Sequence, residues 1–397
     1  MIKVYKFGGE VLKNIRRIKL AAGVIEKEIK KGIRPVIVVS AMGDTTDKLI
    51  ELSKKVSKNP DKRELDMLLS AGERISMSLF SMALKERNIN SKSLTGSQAG
   101  ILTDTKHSSA QIIEIRGKRI LETLERGEIP IIAGFQGVSI EKEVTTLGRG
   151  GSDLTAASLA VFLKTKDVIF YKDVDGIYAL PPKIMKKSKK IKEISFEEML
   201  FLSEYGAEVL NPRAVALGMK YNLKFYVKKL NGEDYTMIKN EAIETSYVKA
   251  IVMKKGVSLL LLEKAKENFR IPQTASYLNE KNINVLFFIH GIRDERGVDL
   301  SFVVEVKKID KEVIKELKKL YNPLKIRFMK KMGILTLVGY GIGDSPFILE
   351  ESMRELQKNK IHIYAIFSSR PGIILLLKEE DLLNSLKILS KKWNLIS

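Results

Sequence analysis

The sequence predicts a three-layer α/β domain with a mainly parallel central sheet, followed by two small α+β modules of one design. Two observations carry this. Up to about residue 235, strand-like apolar runs alternate with helical patterns, as in a parallel sheet covered by helices on both faces. Beyond that point the chain repeats itself at a register of about 78 residues, LNEKNINV at Leu278 lying over LQKNKIHI at Leu356. A tandem repeat of this length reads as a duplicated module.

In chain order, the first half supplies strand candidates at Lys3–Phe7, Pro35–Ser40, Ile129–Ala133, Val168–Tyr171 and Leu223–Val227. Each is short and apolar, as strands buried on both faces are. Helical patterns run over Ile15–Lys31, Glu64–Lys85, Ala110–Arg126 and Asp153–Lys164. Ligands of open parallel sheets sit at the carboxyl ends of the strands. The loops Gly8–Glu10, Ala41–Thr46 and Gly148–Ser152 are therefore expected on one edge. Asn231–Ser246 reads as a linker. The first module then reads strand Gly256–Leu262, helix Ile271–Asn282, strands Val285–Gly291 and Val298–Val306, and helix Lys311–Leu320. Gly333–Val338, Phe347–Lys360, Ile361–Ser368, Gly372–Lys378 and Leu382–Trp393 repeat that order.

The segment VTTLGRGGSD, Val144 to Asp153, is the most informative. A β-branched run enters a turn of three glycines around Arg149, and an Ala/Leu-rich helix follows. Strand, glycine turn and helix start form an anion-binding geometry, and Arg149 adds a planar fork suited to carboxylate or phosphate. Asp153 meets a cation or caps the helix. A glycine turn with a Ser/Asp cap also occurs without any ligand, so its weight depends on features elsewhere.

Composition narrows the chemistry. Cysteine is absent, which removes disulfides, thiol nucleophiles and Cys-ligated metals. Three scattered histidines, His107, His290 and His362, argue against a histidine metal cluster or a Ser/His/Asp triad. Lys, Arg, Asp, Glu, hydroxyls and backbone must do the work. The first residues, MIKVYKFGGE, read as a strand rather than a signal peptide, and apolar runs are far short of a membrane span. A cytoplasmic protein is expected. The net charge of +21 would suit nucleic acid or anionic substrates. Its lysine clusters are short and lack interleaved aromatics, so no nucleic-acid or membrane partner is expected. GYGIG at Gly339–Gly343 reads as a strand-to-helix loop.

Four segments carry specificity: KFGG at Lys6–Gly9, VVSAMGDTTDKL at Val38–Leu49, LSAGERIS at Leu69–Ser76 and TTLGRGGSD at Thr145–Asp153. GSQAGILTD at Gly96–Asp104, AGFQGV at Ala133–Val138 and YKDVDGIY at Tyr171–Tyr178 accompany them. Their order, spacing and content resemble the aspartate kinases of the amino-acid kinase superfamily, across essentially the whole chain. The duplicated C-terminal modules look like paired ACT domains, which have a ferredoxin-like fold. The resemblance implies a kinase domain over residues 1–240, a first ACT domain over 255–328, and a second built from 246–254 and 329–397. It implies transfer of a phosphoryl group from ATP, with Mg2+, to the side-chain carboxylate of L-aspartate, and a homodimer joined through the ACT domains. Carried onto matching positions, Lys6, Arg149 and Asp153 are the expected catalytic residues. Ser40, Thr46, Glu73, Arg149 and Ser152 hold the amino acid. Lys6, Gly8, Gly9, Lys172, Asp173, Tyr178 and Lys183 hold the nucleotide, with Asp153 and Asp173 on the Mg–ATP side. No resident metal site is expected.

Several positions depart from the family pattern. Glu10-Val11 replaces the usual hydroxyl pair after KFGG, Lys172-Asp173 the usual Thr/Ser-Asp, and Pro181-Pro182-Lys183 the usual Asp-Pro-Arg. Glu208 stands where a lysine is usual, and His107-Ser108-Ser109-Ala110-Gln111 replaces His-Gly-Asn-Ala-Arg. Two explanations compete: Lys172, Lys183 or the basic stretch Lys186–Lys192 supplies the missing cation, or the chain is a regulatory paralogue of impaired turnover. The first ACT module also lacks the usual Pro-Gly turn at Asn268–Pro272, so weak or absent feedback by lysine or threonine is expected.

Overall fold

The computed structural model describes residues 1–240, 247–266, 271–281, 283–294, 297–306 and 309–397. Two units emerge. One comprises Met1–Tyr178, Lys190–Glu204 and Glu208–Ile243, the other Ala179–Lys189, Tyr205–Ala207 and Glu244–Ser397.

The first unit is built on an eight-stranded sheet. Its order is Glu193–Ser195, Tyr235–Lys239, Lys224–Lys228, Asp167–Tyr171, Ile2–Phe7, Arg34–Val39, Ile129–Ala133, Ser91–Leu94. Every neighbouring pair is parallel except Lys224–Lys228 with Tyr235–Lys239. Strand alternation then sorts side chains between two layers. Tyr5 and Phe7 enter the core formed by Ile18, Ala22 and Ile25 of helix Ile15–Lys30 and Phe80 and Leu84 of helix Ala71–Lys85. Lys6, one residue out of phase, takes the opposite face and meets helix Gly151–Phe162. That helix is buried on all sides from Gly151 to Ala160, against the sheet and helix Pro212–Lys220. Hence it shows no amphipathic stripe. A smaller sheet of Ile112–Ile115, Ile101–Thr103, Gln136–Ser139 and Val144–Thr146 lies in the same unit.

The second unit contains a six-stranded antiparallel sheet centred on two long strands, Ala250–Ala265 and Lys325–Val338. Ala250–Lys254 pairs with Ile334–Val338, which also pairs with Gly372–Leu376. Leu259–Leu262 pairs with Ile326–Met329 and with Leu300–Val303. Helices Ile271–Glu280 and Lys311–Tyr321 cover one apolar cluster, around Leu260, Leu300 and Leu317. Pro346–Lys358 and Leu382–Lys392 cover another, around Ile251, Leu335 and Leu375.

Several expected elements differ. The long helix over Glu64–Lys85 is two helices, Lys62–Leu69 and Ala71–Lys85, meeting at Ser70. The expected helix Ala110–Arg126 is strand Ile112–Ile115 followed by helix Lys118–Glu125. Gly117 turns the chain between them at φ +59°, and a Cβ there would strike the Phe162 ring at 2.1 Å. The linker contributes a strand, Tyr235–Lys239. Residues 241–246 of that linker, Asn282 and the turn Asn268–Arg270 lie outside the described residues.

Candidate active site

Three loops converge at the carboxyl edge of the main sheet. Gly43 N–H donates to Gly9 O at 3.0 Å, tying Gly8–Glu10 to Ala41–Thr46. A Cβ on Gly9 would lie 2.8 Å from Ala41 O, so only glycine allows this approach. A Cβ on Gly134 would lie 2.7 Å from Ser152 Cβ and 2.9 Å from Val39 O, so the Gly148–Ser152 turn closes on the same edge. Gly148 and Gly150 hold φ of +82° and +76°, open to glycine at no steric cost.

At the centre lies a buried charge cluster. Lys6 Nζ is 2.7 Å from Asp153 Oδ1, and Lys172 Nζ is 3.0 and 2.8 Å from Asp153 Oδ1 and Oδ2. Burial works against the Asp153 carboxylate, but the ammonium groups of Lys172 and Lys6 outweigh it and hold its pKa at about 2. Burial pushes Lys6 down to about 8; Asp153 opposes the fall and Lys172 adds to it. Asp153 is thus the meeting point of two cations rather than a helix cap.

Glu73 stands across the site, buried at the start of helix Ala71–Lys85. Its Oε1 accepts the Ala41 N–H at 3.0 Å. Its Oε2 is buried with no hydrogen-bond partner among the described residues. Burial raises its pKa to about 7, against the Ala41 and Glu73 N–H groups and the charge of Lys6. An acidic oxygen of this kind is suited to a ligand's cation. Arg149 is the reverse: its side chain is 90% exposed and, among the described residues, held by Asp47 alone at 3.2 Å, so it can swing onto a carboxylate. Ser40, whose N–H bonds Phe7 O, and Thr46, in the first turn of helix Thr45–Val56, are half-buried beside these groups.

The chain carrying these loops and charges is similar to known proteins. The amino acid kinase family model matches residues 1–229. The chain is 36% identical to an aspartokinase of Geobacillus stearothermophilus, over 99% of this chain and 97% of that protein. It is 35% identical to aspartokinase 2 of Bacillus subtilis over the same shares. The chain belongs to the amino acid kinase family, among the aspartokinases. In fold it matches E. coli aspartokinase III, in complex with aspartate and ADP, with a TM-score of 0.85 and 20% identity over 98% of this chain and 99% of that one.

Within this aspartokinase framework the remaining expected residues scatter. Gly8 does not offer its backbone donor, because its N–H is bonded to Tyr171 O at 3.0 Å. Likewise the N–H groups of Gly151 and Asp153 close on Gly148 O and Gly150 O, which removes two donors from the helix start. Asp173 is exposed and, with Lys172, borders a cleft of about 890 Å³ whose walls include Arg16, Arg17, Lys229 and Asp234. Tyr178 donates to Asp175 Oδ1 at 2.8 Å, and Lys190 bridges Asp175 and Asp234. Lys183 follows the turn at Pro181–Pro182 in the segment Ala179–Lys189, which belongs to the second unit. Glu208 is exposed in the loop before helix Pro212–Lys220.

Three residues of the site escaped the sequence reading. Asn211 brings its N–H to 3.3 Å from Asp153 Oδ2 and donates its amide to Arg149 O at 2.9 Å. Arg213 donates to Leu147 O and Ala110 O. Asp66, fully buried, accepts from Thr146, Ser108 and His107. Only the Asn-Pro pair at Asn211-Pro212, a helix-start signal, marked one of them.

Proposed function

We propose that this chain is an active aspartate kinase. The observation that carries it is the unpartnered Glu73 Oε2 facing the same site as a buried Lys6–Asp153–Lys172 cluster of net charge +1. One side asks for an ammonium, the other for an anion. In this reading Arg149 holds the α-carboxylate of L-aspartate and Glu73 its ammonium, with Ser40, Thr46 and Ser152 hydrogen-bonding nearby. Lys6, Gly9 and Lys172 hold the ATP phosphates; Asp173 and Tyr178 serve the rest of the nucleotide.

The chemistry needs little more. The aspartate side-chain oxygen attacks the γ-phosphorus, the bond to the β–γ bridging oxygen breaks, and ADP leaves with the electron pair. The attacking carboxylate has no proton to lose, so positioning and charge neutralisation suffice.

The donor set fits a magnesium ion carried by phosphates. No group of three metal-ligating side chains occurs among the described residues, and ammonium groups occupy both Asp153 oxygens. Asp173 would offer a single carboxylate, which suits an ion that keeps its waters and takes phosphate oxygens. When bound, that ion would neutralise charge on the β- and γ-phosphates.

The domain bounds proposed are 1–240 for the kinase, 255–328 for the first ACT domain, and 246–254 with 329–397 for the second, the protein being a cytoplasmic homodimer joined through these modules. Among the described residues no helix is long and apolar enough to cross a membrane. The test is a phosphoryl-transfer assay with Mg-ATP and L-aspartate, hydroxylamine trapping the acyl phosphate. Product that depends on aspartate and vanishes in Lys6→Ala supports the reading; none from folded wild-type protein overturns it.

A further inference from the structure

We infer that Lys172 is a second catalytic cation, the one that meets the leaving β-phosphate oxygen, and that Asp153 is the positioning residue holding it beside Lys6. This rests on the kinase reading above.

Geometry assigns the two lysines different sides. Both converge on one carboxylate, and both pass close to Gly8, where a Cβ would lie 3.8 Å from Lys6 Nζ and 3.8 Å from Lys172 Cδ. The charge of Lys6 reaches Glu73, which puts Lys6 toward the amino-acid side, and Lys6 does not line the cleft that Lys172 borders. Lys172, at the end of strand Asp167–Tyr171 and on the wall of the cleft shared with Asp173, sits toward the nucleotide.

Charge balance points the same way. Two ammonium groups share one carboxylate, with side chains 5%, 16% and 3% exposed for Lys6, Lys172 and Asp153. An uncompensated buried charge is costly unless a ligand completes the set. Gly8 N–H, spent on Tyr171 O, cannot help the phosphates, so more of the work falls on the cations. Glu208, three residues before the Asn211 N–H that approaches Asp153, has the wrong sign. Lys172 is anchored for the task, its own N–H bonded to Lys228 O at 2.9 Å.

As the aspartate oxygen bonds the γ-phosphorus, the bridging oxygen takes the electron pair of the breaking bond. An ammonium aimed at that oxygen stabilises the charge where it grows. Lys172→Thr and Lys172→Met should each lower kcat about 100-fold. Lys172→Arg should recover part of that loss. KM for aspartate should stay within about threefold, and the Kd for ADP, by calorimetry, should rise about fivefold or more. Lys172→Met keeps the stem, so it carries the test if the threonine variant does not fold. A kcat within about threefold of wild type in either folded variant, or a raised aspartate KM with unchanged ADP affinity, overturns the assignment. Wild-type protein that binds ADP yet makes no hydroxamate would instead sink the kinase reading, and this inference with it.

Discussion

The carboxylate of Asp66 accepts both the N–H and the hydroxyl of Thr146, at 3.1 and 2.5 Å. Thr146 is the last strand residue before the turn that carries Arg149. The same carboxylate accepts Ser108 N–H at 2.9 Å and faces His107 Nδ1 at 2.9 Å. One buried side chain thus pins the strand and the loop packed over the Gly148 turn.

Removing that acceptor strands two backbone N–H groups in the interior, each worth about 1–3 kcal/mol. Asp66→Ala should lose about 3 kcal/mol of stability by urea denaturation, with a raised KM for aspartate because the Arg149 turn loosens. A loss under about 1 kcal/mol would mean that water or relaxation replaces the carboxylate.

The pH dependence has a definite sign. Glu73 must be ionised to hold an ammonium, and its pKa stands at about 7. Lys6 must be protonated to hold a phosphate, and its pKa stands at about 8. A plot of kcat/KM for aspartate, which reports the free enzyme, should rise through about 7 and fall through about 8. Lys6→Arg should move the alkaline limb upward. Stability should follow linkage. Glu73 is raised from 4.5 in the folded state, so its contribution falls as pH climbs from 4.5 toward 7. Lys6 is lowered from 10.5, so its contribution improves between about 8 and 10.5. A flat rate profile from pH 6 to 9 would refute these assignments.

Much of the fold was legible because its strands are continuous apolar runs and its loops carry glycines that backbone approach demands. The misread stretch Ala110–Arg126 shows the limit. Ile112 and Ile115 fall three apart, as on a helix, but belong to a strand paired with Ile101–Thr103; only the partner strand decides between the two periods. The site was legible where a motif is local, as in Lys6–Gly9 and Gly148–Asp153. It was illegible where a side chain acts on distant backbone. Nothing near Asp66 in the sequence announces a bond to Thr146, and nothing near Lys172 announces Asp153.

The Gly9 contact gives a sharper steric test. Gly9 has φ −58°, which alanine adopts freely. The obstacle is instead Ala41 O at 2.8 Å and Gly43 O at 3.1 Å from the new Cβ. Both are backbone atoms of another loop. Gly9→Ala should push the two loops apart and lower kcat about tenfold or more, since phosphoryl transfer depends on positioning. Wild-type kcat in a variant whose crystal structure shows the loops unmoved would disprove the constraint.

Arg149 separates function from stability. Its side chain is 90% exposed, and its ion pair is with Asp47, itself 62% exposed. Such surface pairs contribute about 0–1 kcal/mol, so Arg149→Ala should leave the melting temperature within about 2 °C of wild type. Its exposure on the glycine turn before helix Gly151–Phe162 makes sense if it closes on a ligand carboxylate. A charge-assisted bidentate bond of that kind is worth about 2–3 kcal/mol. The KM for aspartate should therefore rise about 30- to 100-fold, with kcat less affected and the KM for ATP nearly constant. Arg149→Lys keeps the charge but loses the fork, and should recover only part of the loss. An Arg149→Ala protein with unchanged aspartate KM would show that the pair with Asp47 merely tethers a surface turn.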